Sequence, residues 1–102
     1  MKPPQHLSTE AKRIWKQICL DWDFDHSALI LLRTALEAYD RLQTARKEID
    51  REGTTITTPT GHMKPHPSLR IEKEARAGFL MAWRMLNLNI EPPGEIGRPG
   101  GY

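Results

Sequence analysis

The sequence lacks the features that define several classes of protein. Its 102 residues include a single cysteine, Cys19, so no disulfide can form within the chain, and such usage is typical of a reducing compartment. No apolar run approaches the length of a membrane-spanning helix, and the start, Met-Lys-Pro-Pro-Gln-His, has no signal-peptide core. These absences predict a soluble cytoplasmic protein with no membrane partner.

Calcium binding is not supported by the aspartates that precede the long helix. Asp21, Asp23 and Asp25 have the spacing of the first ligands in a calcium loop. His26 and Leu32 stand where that loop requires Gly and Glu. We therefore interpret these aspartates as helix caps.

Other chemical constellations are incomplete as well. His62 and His66 are four residues apart, but Pro65 prevents them from sharing a helical face as zinc ligands do. Cys19 falls on an apolar helical face, which predicts an inert thiol. The chain has no glycine-rich phosphate loop, no nucleophile elbow and no paired catalytic carboxylates. The sequence predicts neither an enzyme nor a metal or cofactor site.

The charge is small but unevenly placed. Fifteen Lys and Arg against thirteen Asp and Glu give a net charge of +2, which alone does not identify a nucleic-acid binder. Within residues 1–25, Lys12, Arg13 and Lys16 come before Asp21, Asp23 and Asp25, and Lys2 lies on the arm before them. This order predicts a local basic patch.

One long helix, from His26 to Glu52, dominates the apolar pattern. Residues at 3-4-3-4 spacing form one stripe: Ala28, Leu31, Ala35, Ala38, Leu42, Ala45 and Ile49. A second stripe stops halfway: Leu29, Leu32, Leu36 and Tyr39. The first half is therefore expected in a core, and the second half, with a single seam bordered by charge, is expected to project toward a partner.

The remaining chain predicts a mainly α fold of three helices. A helix over 9–22 follows the N-cap Ser8, a short β-hairpin occupies about 54–64, and a helix over 69–88 follows the N-cap Ser68. Residues 1–7 form an extended arm, 8–90 a single domain, and 91–102 a flexible Pro/Gly-rich tail.

Self-association is expected because a rod of about 40 Å is long for so small a chain. Small residues on the last helix would let another backbone approach closely. The predicted oligomer interface consists of Ala38, Leu42, Ala45, Ile49, Ile71, Gly78 and Ala82.

Several short motifs, in order and spacing, resemble the small terminase subunits of tailed bacteriophages and prophages. They are Pro3-Pro4-x-x-Leu7-Ser8-x-x-Ala11-x-x-Ile14-Trp15, Glu48-Ile-Asp-Arg-Glu-Gly53, Gly61, His66-Pro67-Ser68-Leu69, and Leu86-Asn87-Leu88 before Pro92. His66 replaces the usual asparagine, and the tail lacks the arginine-rich end of many members.

The resemblance implies a homo-oligomeric ring that recognises double-stranded viral DNA and presents it to the terminase large subunit in the bacterial host. Such subunits are non-catalytic and regulate the packaging motor. We expect DNA contacts at Lys12, Arg13, Lys16, Lys2 and Lys64. Two alternatives remain open: a small helical transcription regulator that acts as a dimer, and a protein-interaction adaptor without a nucleic-acid role.

Overall fold

A computed structural model describes residues 2–88 of the protein. Its elements are α1 (Thr9–Asp21), α2 (His26–Glu52), β1 (Thr55–Thr57), β2 (Met63–Pro65) and α3 (Pro67–Leu86). The predicted mainly α fold, with a two-stranded antiparallel hairpin between the second and third helices, is confirmed. The predicted tail over 91–102 lies outside the described residues.

The helix ends follow local side-chain chemistry. Ser8 caps α1 by accepting a hydrogen bond from the backbone N–H of Ala11, and Asp25 caps α2 in the same way. Gly53 ends α2 with a φ of +86°, a conformation that residues with a Cβ rarely adopt.

The predicted start of α3 is wrong by two residues. The helix begins at Pro67 rather than Leu69, and its N-cap is His66 rather than Ser68. Proline is suited to the first helical position because its φ is preset and its missing N–H would have no helical partner there. His66 supplies the cap because its ring accepts a hydrogen bond from the backbone N–H of Ser68.

The core forms where all three helices meet. The rings of Tyr39 and Phe79 lie 5.8 Å apart between centroids, and Phe79 stacks on Trp83 at 5.4 Å. Ser68, at the start of α3, contacts Glu48 near the end of α2, so α3 runs back antiparallel along α2.

The apolar seam on the second half of α2 does not project as the sequence predicts. Leu42, Ala45 and Ile49 are only 0%, 1% and 8% exposed within a single protomer. The first half of α3 packs over them, since the hairpin turns the chain back onto α2. The apolar seam of α2 is therefore buried within a single protomer. Within residues 2–88, no helix combines the length and the hydropathy needed to cross a membrane.

Replacing Phe79 with alanine tests this description of the core. We expect Phe79→Ala to lower the free energy of unfolding by about 3–5 kcal/mol, because the fully buried ring leaves a cavity. Leu20→Ala, at a position 80% exposed, is the control and should change it by less than about 0.5 kcal/mol. Urea unfolding followed by circular dichroism measures both, and equal effects would contradict the assigned core.

Candidate functional site

The outer face of α1 carries a cluster of cations. Ala11, Trp15 and Ile18 are buried and fix the inner face of the helix, so Arg13 and Lys16 lie on its outer side. Arg13 and Lys16 are exposed, and Lys12 is half-buried beside them. We call these three residues the α1 basic face. Three cationic side chains within little more than one helical turn form a compact cluster that could contact DNA phosphates.

The carboxylates of α1 and α2 keep their charge but direct their oxygens toward hydrogen-bond donors of the fold. Among the described residues, Lys12 and Lys16 form no salt bridge, and Arg13 only approaches Glu10 at 4.0 Å. The hydrogen bonds that occupy the acids of α1 and α2 are Tyr39 to Glu10 (2.6 Å), His6 to Glu37 (2.6 Å), Ser8 to Asp40 (2.5 and 2.8 Å) and Ser68 to Glu48 (2.5 Å).

The other two predicted DNA-contacting lysines lie apart from one another. Lys2 is exposed in the residues that lead into α1. Lys64 is exposed on β2, which follows the C-terminal end of α2, whereas α1 packs beside the middle and the N-terminal half of α2. The structure therefore gathers three of the five predicted lysines and arginines on one helix and does not bring Lys64 to them.

A groove runs along the side of α2 that α1 and α3 leave open. It consists of two adjoining hollows of about 590 and 410 Å³, which share Glu37, Arg41 and Ile71. Gly78 and Ala75 of α3 also line it. We call this the α2–α3 groove. The residues of its floor are small and apolar, and acidic and basic side chains both lie at its border. Such a surface is expected where a helix of another protein packs.

Exposed apolar side chains extend the groove toward the end of α3. Ile71 is 41% exposed, and Met81 and Met85 are more than half exposed. Gly78 lies on the same side of α3 as Ile71 and Met85 because these three residues are seven apart. Large exposed apolar residues aligned along one helix edge indicate a protein contact.

The structure divides the predicted oligomer interface into two groups. Leu42, Ile49 and Ala82 are buried inside the protomer, where they pack between α2 and α3. Four others line the groove: Ala38 and Ala45, which are also buried and form its floor, and the exposed Ile71 and Gly78. The role of these four between copies stays a prediction, and the groove is the surface where it applies.

The phage terminase small-subunit family matches this sequence over residues 9–97, which is most of its length. The chain belongs to that family. No curated protein and no solved structure matches it significantly. The resemblance carried by the short motifs is thus confirmed at the level of the family.

Sequence reasoning missed the role of His66, which it considered only as a zinc ligand and as the residue that replaces the family's asparagine. The side chain is 7% exposed. Its Nδ1 accepts from the backbone N–H of Ser68 at 2.9 Å, so Nε2 carries the proton and donates to Glu52 at 2.6 Å. His66 therefore joins the end of α2 to the start of α3. Pro67 at the first helical position was the available signal.

Other titratable side chains among residues 2–88 include the thiol of Cys19. Burial raises the pKa of the Cys19 thiol, as expected from its place on the apolar side of α1. Within residues 2–88, no group of three or more His, Cys, Asp or Glu side chains is arranged to hold a metal ion.

The His66–Glu52 contact makes stability depend on acidity. The hydrogen bond from His66, and then that from Arg51, lowers the pKa of Glu52 below its ordinary value of 4.5. The stabilisation is thus complete above pH 4.5 and is lost as the pH falls through the lowered pKa. We expect the free energy of unfolding of Glu52→Gln to change less between pH 5 and 3 than that of the wild type.

His66 variants separate the two bonds. His66→Asn keeps a side-chain cap but loses the bond to Glu52, so its acid dependence should weaken and its stability at pH 7 should fall only by the contribution of that bond. His66→Ala loses the cap too and should cost about 1 kcal/mol more. Urea titrations at each pH measure these values; an asparagine variant as unstable as the alanine variant would contradict the cap.

Proposed function

We propose that this chain is the non-catalytic DNA-recognition and regulatory component of a viral genome-packaging motor. It assembles as a homo-oligomeric ring, binds double-stranded viral DNA, and presents that DNA to the terminase large subunit in the cytoplasm of the bacterial host. Membership of the small-subunit family supports this role, and the α1 basic face supplies the observation that carries the DNA contact.

The α1 basic face suits the phosphate backbone of DNA. Lysine and arginine side chains contact phosphates and release bound counterions, which provides affinity without sequence preference. One protomer offers only three such residues, but a ring repeats them around its circumference. Contacts made together along one duplex then add, so modest patches produce strong, salt-sensitive binding.

The α2–α3 groove suits contact between copies of the chain. Its small floor residues allow close backbone approach, and exposed Ile71, Met81 and Met85 supply apolar area. Glu37 and Arg41 give the groove both signs of charge, which favours another protein surface over DNA. A surface that receives a different patch of its neighbour generates a ring when the rotation closes.

Charge reversal on α1 tests the DNA contact. We expect Lys12→Glu with Lys16→Glu to weaken DNA binding by roughly a hundredfold at low salt and to flatten its salt dependence, because phosphate contacts are lost. Lys73→Glu with Arg84→Glu changes the charge equally on exposed positions of α3 and is the control. A gel-shift titration measures both; equal losses would place the contact elsewhere, and no DNA binding by the wild type would favour an adaptor.

A bulky residue at Gly78 tests the groove. A Cβ built at Gly78 meets nothing within 4 Å in the protomer, so Gly78→Leu should fold normally and lose the assembly by blocking a neighbouring copy. Ala77→Leu, one position around the exposed side of the helix, is the matched control. Light scattering reports the mass; an unchanged assembly in Gly78→Leu would exclude the groove, and a wild-type dimer would favour the regulator.

A further inference from the structure

The β-hairpin, residues 54–65, stands away from the helical core. Thr55 and Thr57 of β1 are exposed, as is every residue of β2, and within the hairpin only Ile56 and Thr58 are half-buried. Its strands contact each other far more than they contact any helix. A two-stranded hairpin alone is marginal in water, so this hairpin requires another source of order or a partner.

Backbone and side-chain hydrogen bonds within the hairpin order it. The N–H of Thr58 donates to the carbonyl of His62 at 2.7 Å, and the N–H of Gly61 donates to the carbonyl of Thr58 at 2.9 Å. At the base, the N–H of His66 donates to the carbonyl of Thr54 at 2.9 Å. Because the His66 ring also holds Glu52 and caps α3, the base is fixed to both long helices.

The side chains of this projecting hairpin favour binding to a polyanion. Between Glu52 and Glu72 the chain has no Asp or Glu, while it has Lys64 and five threonines in the hairpin segment. Hydroxyl, amide and lysine groups donate to phosphates and to base edges. Exposed Met63 is the large apolar side chain on the ribbon, too little for a stable protein interface by itself.

The shape agrees with the chemistry. The strand register pairs Thr57 with Met63 and Ile56 with Lys64, so one face presents Thr55, Thr57 and Met63 to solvent. The major groove of B-DNA admits a two-stranded ribbon, and an apolar side chain there contacts the thymine methyl group.

We propose that this hairpin is a second DNA-contacting element, which inserts its Thr57–Met63 face into the major groove, while Lys64, which the register places on the opposite face beside Ile56, contacts a phosphate at the edge of the groove. This inference rests on the proposed function and deepens it, since it separates groove contact from the backbone contact of α1. The hairpin and α1 lie at different ends of the protomer, so they would contact the duplex at different places.

Chemical protection of DNA tests the groove contact. The full-length assembly, mixed with a duplex that it binds, should protect guanine N7 atoms from methylation by dimethyl sulfate. Thr57→Ala with Met63→Ala should remove that protection without changing the mass of the assembly. Lys64→Glu should weaken binding roughly tenfold through a lost phosphate contact, whereas Lys73→Glu, an equal charge change on α3, should not.

The outcomes distinguish this inference from the function on which it rests. Normal affinity and protection in the hairpin variants, with binding lost in the α1 variant, would overturn the hairpin assignment alone. Loss of assembly in Thr57→Ala with Met63→Ala would also overturn it, because the hairpin would then be a contact between copies. Absence of any DNA binding by the wild type would overturn both.

Discussion

α2 has 27 residues, and the other two helices of this small protein cannot cover its whole circumference. α3 packs along most of α2, and α1 covers a second side near the middle and the N-terminal half. The third side, which contains Arg41, remains open and forms the α2–α3 groove. Core packing, the placement of α1 and the surface available to a second copy all follow from this arrangement.

The polar contacts link stability to function. Carboxylates of α1 and α2 accept hydrogen bonds from Ser8, Tyr39 and Ser68, which tie the helices together. A carboxylate that is held in this way is directed toward the fold rather than toward nearby lysines. Among the described residues, Lys12 and Lys16 then form no salt bridge and Arg13 pairs only with Glu10 at 4.0 Å, so a chain of net charge +2 can still carry a cluster of cations on one helix.

Periodicity and capping chemistry were sufficient to predict the elements and their order, but not the start of α3. Ser8 and Gly53 mark helix ends by local rules, and the 3-4 spacing on α2 identifies its buried stripe without tertiary information. The basic face was predictable for the same reason, since Lys12 and Lys16 fall off the apolar side of one helix.

What could not be predicted depended on tertiary placement. A stripe shows that Leu42 is buried but not whether α3 or another copy buries it, because both present the same kind of apolar surface. The role of His66 required knowing that Glu52 lies beside it, which the turn between α2 and α3 decides. The α2–α3 groove likewise arises only when α3 lies against α2, so it could not be predicted from any single segment of the sequence.

Mass measured across concentration tests the central claim most directly, that the open side of α2 is covered by another copy of the chain. Native mass spectrometry of the wild-type protein at low micromolar concentration should show a closed oligomer of defined subunit number, with few intermediates because open arcs leave grooves unfilled. A folded monomer that persists unchanged to hundreds of micromolar would contradict the account.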